Sequence, residues 1–190
     1  MPCLYTYTLK NHHNRDDTTT IKASIELKNN QLKLEYQIVT DLSQYSLPKQ
    51  TKQQRVDNLW LDTCFELFIA NVNDDRYWEI NISPSTEWNI YQFRSYKDDM
   101  RESNSLITPI IKRYRYDNKY YLSFESKVQR DIWSRELQIN LCVILLDIKG
   151  VRQFYSIERR KGSPDFHDRD YFTKININRV LSKKSYNTPI

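Results

Sequence analysis

The sequence predicts an all-β fold, an antiparallel β-sandwich of two sheets of jelly-roll type with about ten strands and little helix. Short runs rich in β-branched and aromatic residues follow one another along the chain, which is typical of strands. Turn-forming residues separate these runs at short intervals, and no segment keeps the apolar period of a long helix. We expect a single domain over residues 1–181 and a polar, flexible tail at 182–190.

The N-terminal part predicts three strands and a long connection. Leu4–Leu9 alternates in polarity and should open the first sheet. Thr20–Leu27 and Gln31–Val39 flank a Lys-Asn-Asn turn, which predicts a hairpin with one solvated face and one core face. The segment 40–58 contains Pro48 and has no sustained period, so it predicts a long surface connection.

Three runs in mid-chain predict an antiparallel meander. Leu59–Ala70 is apolar on both alternating faces yet carries Glu66 in its middle. Such a strand belongs at the centre of a sheet, where its carboxylate needs a partner. Tyr77–Ser83 and Trp88–Arg94 follow after short turn-rich segments. We expect the functional surface to be built on this meander.

The C-terminal half predicts a short helical turn at 129–136 and a structured loop at 164–172. The second central strand is expected at Leu137–Ile148, because this run is almost continuously apolar. The strands predicted in this half are 107–116, 120–128, 137–148, 152–157 and an edge strand at 173–177.

Composition and cysteine usage exclude several classes of protein. Two glycines in 190 residues allow neither a G-x-G-x-x-G nor a P-loop motif. Three widely spaced cysteines without a C-x-x-C pair favour neither a disulfide framework nor a zinc site. No run approaches the roughly 18 apolar residues of a membrane span, and no signal-peptide core is present. We therefore expect a cytoplasmic protein without a membrane partner.

The net charge of +5 is scattered along the chain rather than gathered in one run. Arg113-Tyr114-Arg115-Tyr116 is the most suggestive basic and aromatic stretch. In a strand its arginines and tyrosines fall on opposite faces, as in an ordinary solvated face over a packed face. Nucleic acid is therefore not an expected partner. The oligomeric state stays open.

The meander and a later segment share a pattern of aromatic and polar residues. It consists of Leu59-Trp60-x-x-Thr63-Cys64-Phe65-Glu66-x-Phe68, then Tyr77-Trp78-Glu79-Ile80-Asn81-Ile82-Ser83-Pro84-Ser85-x-x-Trp88-Asn89-x-Tyr91-x-Phe93-x-x-Tyr96, and finally Pro164-Asp165-Phe166-His167. This combination resembles the bacterial DOMON-like proteins, which are similar to family 9 carbohydrate-binding modules. The resemblance implies a β-sandwich with a ligand site for a sugar or, in some relatives, a haem.

Two positions depart from that pattern. Glu158-Arg159-Arg160 stands where the relatives have an Ala-His-Pro-like element, and Thr86 stands where a glycine is usual. If that histidine contributes to the site in the relatives, the resemblance implies an altered site in this chain.

Polar residues within the apolar strands predict where a ligand binds. If 71–75 is the first loop, Leu67 faces Glu79 and Glu66 lies on the opposite face, whereas a slip of one residue brings Glu66 and Glu79 together. If Ser83 faces Trp88, one face carries Tyr77, Glu79, Asn81, Ser83, Trp88, Gln92 and Arg94. An aromatic ring flanked by carboxylate, amide and guanidinium groups is what a sugar site requires. The alternatives are a Trp88 that caps the sandwich and a buried hydrogen-bond network in which Arg94, Gln92 or a tyrosine is the partner of the two glutamates.

The leading hypothesis is a non-catalytic domain that binds a small saccharide and needs no cofactor. Its expected ligand-binding residues are Tyr77, Glu79, Asn81, Trp88, Arg94, Glu66 and His167. One alternative is a haem or metal binder, with Met100 and His167 as the axial pair. Another is a glycoside hydrolase that uses Glu66 and Glu79. The last is an interaction domain without a small ligand.

The loop at 164–172 concentrates ionisable residues. Asp165, His167, Asp168 and Asp170 fall within six positions. The aspartates can make turn and cap hydrogen bonds over a packed His167, or the loop can shape a ligand site. A divalent metal is the third possibility, since carboxylates and imidazole suit several such ions.

Overall fold

The structure is a computed structural model and describes residues 3–13, 18–129, 133–160 and 162–177. Within these ranges it has thirteen strands, more than expected because several are short edge pieces. They are β1 (Cys3–Thr8), β2 (Lys10–Asn11), β3 (Thr20–Lys28), β4 (Gln31–Val39), β5 (Cys64–Asn71), β6 (Tyr77–Ile82), β7 (Trp88–Phe93), β8 (Arg101–Glu102), β9 (Ile110–Tyr116), β10 (Lys119–Lys127), β11 (Glu136–Leu146), β12 (Arg152–Ser156) and β13 (Thr173–Asn176). Short 3-10 helices lie at Leu42–Gln44, Leu59–Leu61 and Arg169–Tyr171.

The strands form two antiparallel sheets, which confirms the predicted two-sheet β-sandwich. A five-stranded sheet has the order β1-β3-β4-β10-β9. An eight-stranded sheet has the order β2-β12-β11-β5-β6-β7-β8, with β13 also pairing with β11. β5 and β11 lie side by side at its centre, as their apolar sequences predict. The predicted tail at 182–190 and part of the predicted helical turn at 129–136 lie outside the described residues.

Apolar side chains from the inner faces of both sheets form the main core. Leu34 of β4, Leu67 of β5 and Leu141 of β11 belong to this cluster and are fully buried. Full burial of such a side chain contributes roughly 1.5–3 kcal/mol. The Tyr36 hydroxyl crosses the core and donates a hydrogen bond of 2.7 Å to the backbone carbonyl of Glu66. This bond ties β4 to β5 from one sheet to the other.

A second apolar layer covers the outer face of the eight-stranded sheet. The outer aromatic cluster consists of the buried rings Phe68, Tyr77, Tyr91, Phe93, Phe166 and Phe172. Phe68 contacts the two rings from the 164–172 loop with centroid distances of 6.3 and 6.2 Å, and Tyr77 stacks on Phe93 at 4.7 Å. Because this loop folds over the sheet, β5 and β6 are buried on both faces.

The predicted meander is present, but its first strand and its register differ from the prediction. β5 begins at Cys64, because Leu59–Leu61 forms a 3-10 turn instead of extending the strand. Ala70 pairs with Tyr77 rather than with residue 76, so Glu66 pairs with Asn81. The alternative with Glu66 and Glu79 on one face is therefore the one that the structure adopts.

The second turn of the meander is one residue shorter than predicted. The Ser83 amide donates to the Glu87 carbonyl at 2.8 Å, which leaves a three-residue loop closed by Thr86 in the left-handed conformation (φ +75°). Such a loop normally takes glycine at this position. As a result Ile82, not Ser83, pairs with Trp88. This shift moves Trp88 to the inner face of the sheet.

No helix among the described ranges combines the length and the apolar character that a membrane crossing requires.

Candidate functional site

A cavity of about 370 Å³ lies on the outer face of the eight-stranded sheet, under the 164–168 loop. We call it the Glu79 cavity. Its volume exceeds the roughly 300 Å³ at which small-molecule sites begin. Its ionisable lining residues are Glu66, Glu79, Lys97, Asp165 and His167. Four of them, all except Lys97, are residues that the sequence hypotheses name as candidates for binding a ligand or a metal.

Two buried carboxyl groups line the floor of the Glu79 cavity. Glu66 is opposite Asn81 and Glu79 is opposite Phe68, so the two glutamates are diagonal neighbours on one face. Glu66 is 2% exposed and Glu79 is 5% exposed. Burial, and then the nearby charge of Glu79, holds the pKa of Glu66 well above its usual value. Burial likewise raises the pKa of Glu79 to about 7, against the hydrogen bond that it accepts from Asn81.

Few groups in the described part of the chain donate hydrogen bonds to these two carboxyls. Asn81 Nδ2 donates to Glu79 Oε1 at 2.7 Å. The Cys64 thiol lies beside Glu66, but the hydrogen bond that it makes is to the Phe65 carbonyl at 3.8 Å. A thiol is a weak donor. The Glu66 carboxyl is therefore buried, poorly hydrogen-bonded and turned toward the cavity.

A hydrogen-bond chain orients His167 toward Glu79. The Lys97 amide donates to the Tyr77 hydroxyl at 3.1 Å, and this hydroxyl lies 2.7 Å from His167 Nδ1. We assign the ring proton to Nε2, because this nitrogen faces the Glu79 carboxyl, and the Tyr77 hydroxyl then donates to Nδ1. Nε2 lies 3.8 Å from Glu79 Oε2. Burial lowers the pKa of His167 to about 4, so the imidazole is a neutral donor facing the cavity.

Asp165 holds the loop that covers the cavity. Its carboxylate lies 3.1 Å from Lys97 Nζ and 3.3 Å from the Arg160 guanidinium, and it accepts bonds from the Tyr96 hydroxyl and the His167 amide. Asp168 accepts the amide of Asp170 and so caps the 3-10 turn that follows. These are the local bonds that the sequence offers as the alternative to a metal. The described ranges contain no group of three or more His, Cys, Asp and Glu side chains able to hold a metal ion.

Aromatic side chains form the walls of the cavity. Trp60, Phe93, Phe154 and Phe166 line it beside the carboxyl floor. Trp60 is half-buried in its 3-10 turn and meets Tyr91 edge-to-face at 5.8 Å. Trp60 is not among the ligand-binding residues expected from the sequence. Its alternation with Glu66 and Phe68 along the predicted run 59–70 is the signal that could have selected it.

The expected ligand-binding residues divide into two groups. Tyr77, Glu79, Asn81, Glu66 and His167 lie together at or beneath the Glu79 cavity. The expectation that Trp88 and Arg94 share this face is wrong.

Trp88 is 4% exposed in the main core between the sheets, with the Arg55 guanidinium 4.4 Å above its ring. The shorter turn before β7 is the reason, since it reverses the facing of every residue in that strand. Arg94 lies beyond the end of β7, where its side chain is 70% exposed and pairs with Asp98 at 2.7 Å. Neither side chain reaches the cavity.

Both residues of the axial pair in the haem alternative, Met100 and His167, line the Glu79 cavity. His167 Nδ1 lies at hydrogen-bond distance from the Tyr77 hydroxyl, and Nε2 faces the Glu79 carboxyl. With the ring proton on Nδ1, Nε2 would be the nitrogen that ligates an iron. The haem alternative therefore stays a prediction.

The fold is similar to solved carbohydrate-binding structures. A proposed carbohydrate-binding protein from Bacteroides uniformis superposes with a TM-score of 0.64 at 13% identity, over 91% of this chain and 86% of the other. A family 9 carbohydrate-binding module from Caldicellulosiruptor kristjanssonii in complex with glucose gives 0.57 at 12% identity, over 94% and 87%. The structure of a family 9 module from the same organism with cellotriose gives 0.51 at 11% identity, over 84% and 75%.

At these identities the likeness establishes the fold alone, a two-sheet β-sandwich similar to that of these structures. No protein-family model matches the chain, and no curated protein sequence matches it.

Proposed function

We propose that this domain binds a small saccharide in the Glu79 cavity without catalysis, as a member of the DOMON-like group of sandwiches. The observation that carries the proposal is the convergence of two buried carboxyls, an oriented imidazole and aromatic walls in one cavity. The similarity of the fold to modules in complex with glucose and cellotriose supports the same reading.

The chemistry of the cavity suits sugar hydroxyls. His167 Nε2 offers a donor, and the oxygens of Glu66 and Glu79 offer acceptors or, when protonated, donors. A sugar hydroxyl both donates and accepts, so it can bond to either kind of group. The C–H face of a sugar ring is apolar and packs on aromatic side chains such as Trp60 and Phe154.

The same carboxyl pair raises glycoside hydrolysis as a second candidate function. A glycosidase needs one protonated carboxyl and one ionised carboxylate on either side of the scissile bond. Here burial raises the pKa of both Glu66 and Glu79, and both lie on the floor of the cavity. This arrangement favours binding over hydrolysis, and we expect no release of nitrophenol from aryl glucosides.

Calorimetric titration with glucose, cellobiose and cellotriose tests the proposal. We expect dissociation constants in the millimolar to micromolar range, because the site is small and makes few hydrogen bonds. His167→Leu should weaken binding at least about tenfold, since it removes the donor that faces the sugar. The matched control is Glu125→Gln, an exposed carboxyl on the other sheet, which should bind as the wild type does. Equal affinities of the two variants, or no binding of any sugar to the wild type, would contradict the proposal.

A further inference from the structure

We propose that the preferred saccharide carries a positive charge, as an amino sugar does, and that its ammonium group lies between Glu66 and Glu79. This inference rests on the proposed saccharide binding and names the class of sugar. It derives from an imbalance of charge in the Glu79 cavity.

The two carboxyls have no cationic partner in the described part of the chain. His167 lies 3.8 Å from Glu79 through Nε2, but it is a neutral ring. Lys97 lines the cavity with its ammonium 3.1 Å from Asp165 at the rim. Arg160 is held by ion pairs to Asp165 and Asp168, both at 3.3 Å. Lys97 and Arg160 are therefore paired with aspartates of the loop, and Glu66 and Glu79 are left without a cation to neutralise them.

An unpaired carboxylate in an apolar site is unfavourable, so an acid in that position either keeps its proton or binds a cation. The raised pKa values of Glu66 and Glu79 express this preference in the free protein. A ligand ammonium supplies the missing charge together with three hydrogen-bond donors. Its charge-assisted bonds are about twice as strong as those of a neutral hydroxyl. A neutral sugar offers no such compensation.

The other groups around the floor are compatible with an organic cation. Aromatic faces of the cavity, among them Trp60 and Phe93, attract an ammonium through their π-electrons. Cys64 and Cys142 lie beside Glu66 on the same face and stay neutral thiols, since burial raises the pKa of both. A bare divalent cation fits less well, because calcium takes roughly six to eight oxygen ligands and the floor provides two carboxyls.

The test compares three sugars that differ at one position: glucosamine, glucose and N-acetylglucosamine. Each is titrated by calorimetry at neutral pH in a buffer that contains no amine. We expect the wild type and Glu125→Gln to bind glucosamine at least about tenfold more tightly than glucose. N-acetylglucosamine carries a neutral group at the same carbon and should show no such gain.

Glu79→Gln and Glu66→Gln are near-isosteric variants that remove one acid each, and thermal melts verify that both fold. The preference for glucosamine, which is the ratio of its affinity to the glucose affinity of the same variant, should vanish in Glu79→Gln and shrink in Glu66→Gln. Equal binding of glucosamine and glucose by the wild type would overturn the inference and leave the proposed function standing. A preference that persists in both variants would also overturn it. Failure of all three sugars to bind would overturn the proposed function and this inference together.

Discussion

The outer faces of the two sheets each carry a cavity, of about 500 Å³ on the five-stranded sheet and about 370 Å³ on the eight-stranded sheet. The larger cavity is lined by solvent-exposed side chains, among them Lys22, Glu35 and Lys112. The smaller one holds Glu66 and Glu79 almost fully buried. Cavity size alone therefore does not identify the site. The informative feature is a pair of acidic side chains that are buried without a cationic partner among the described residues.

The two outer faces differ because a second apolar layer covers that of the eight-stranded sheet. β10 alternates between buried and open positions, as a strand with one solvated face does. β5 is buried at seven consecutive positions because the 164–172 loop packs Phe166 and Phe172 over its outer face. The comparison predicts that the two outer faces respond differently to the same type of substitution.

The largest contrast should appear in stability. Phe68→Ala removes a ring that contacts four others in the outer layer, and we expect it to lower the free energy of unfolding by about 3–5 kcal/mol. Tyr114→Ala removes a ring that is 61% exposed and stacked on Tyr121, and we expect a loss of at most about 1 kcal/mol. Urea unfolding of both variants measures the difference. Similar losses would mean that the outer layer is not a true core.

The second contrast is in the pH dependence of stability. The pKa of Glu79 rises on folding from 4.5 to about 7, so the folded state holds the extra proton and stability falls as pH rises through this window. His12 and His167 have pKa values lowered from 6.5 to about 4, so they act in the opposite direction below pH 6.5. Above that pH the carboxyls act alone, and Glu66 extends the decline because its pKa is also raised.

We therefore expect the free energy of unfolding of the wild type to fall between about pH 6.5 and pH 8. Glu79→Gln should flatten this decline and exceed the wild type at pH 8 by on the order of 2 kcal/mol, since it removes the charge that burial opposes. Glu125→Gln, on the solvated face, should follow the wild type. Denaturation curves at several pH values check this, and parallel curves for all three proteins would argue against a buried, ionising pair.

The smallest contrast concerns two tryptophans of the meander region. Trp60→Leu should weaken saccharide binding about tenfold, because it removes an aromatic wall of the Glu79 cavity. Trp88→Phe should leave the affinity unchanged, because Trp88 lies in the main core and its Nε1 has no hydrogen-bond partner among the described residues. Titrations of both variants distinguish the two rings. A loss confined to Trp88→Phe would restore the face assignment that the sequence predicts.

Much of the architecture could be predicted from the sequence. The β3–β4 hairpin follows from clean alternation around a Lys-Asn-Asn turn, and the central position of β5 follows from apolar residues on both faces. The register of the meander could not be predicted, because it depends on loop lengths that differ by one residue. Thr86 adopts a left-handed conformation that is usually occupied by glycine. Because a threonine stands there, the sequence does not indicate this type of turn.

The candidate site was only partly predictable for a related reason. Glu66 and Glu79 could be selected because they stand out within apolar strands, and His167 because it belongs to the ionisable loop and to the Pro-Asp-Phe-His element of the resemblance. The aromatic walls of the cavity could not be predicted in this way. Phe154 and Phe166 come from segments that are distant from the two glutamates in the sequence, and the fold brings them together. The orientation of His167 depends in turn on Tyr77 and on the backbone of Lys97.

The most direct measurement of the central claim is an NMR titration of the isotope-labelled protein with glucose, in which every assigned signal reports on its own position. If glucose binds in the Glu79 cavity, the largest chemical-shift changes should fall on Ile144, Phe166 and His167, which line it. Signals of Tyr114 and Tyr121, on the open face of the five-stranded sheet, should stay in place. Chemical-shift changes centred on those two tyrosines, or no changes around the Glu79 cavity, would contradict saccharide binding in that cavity.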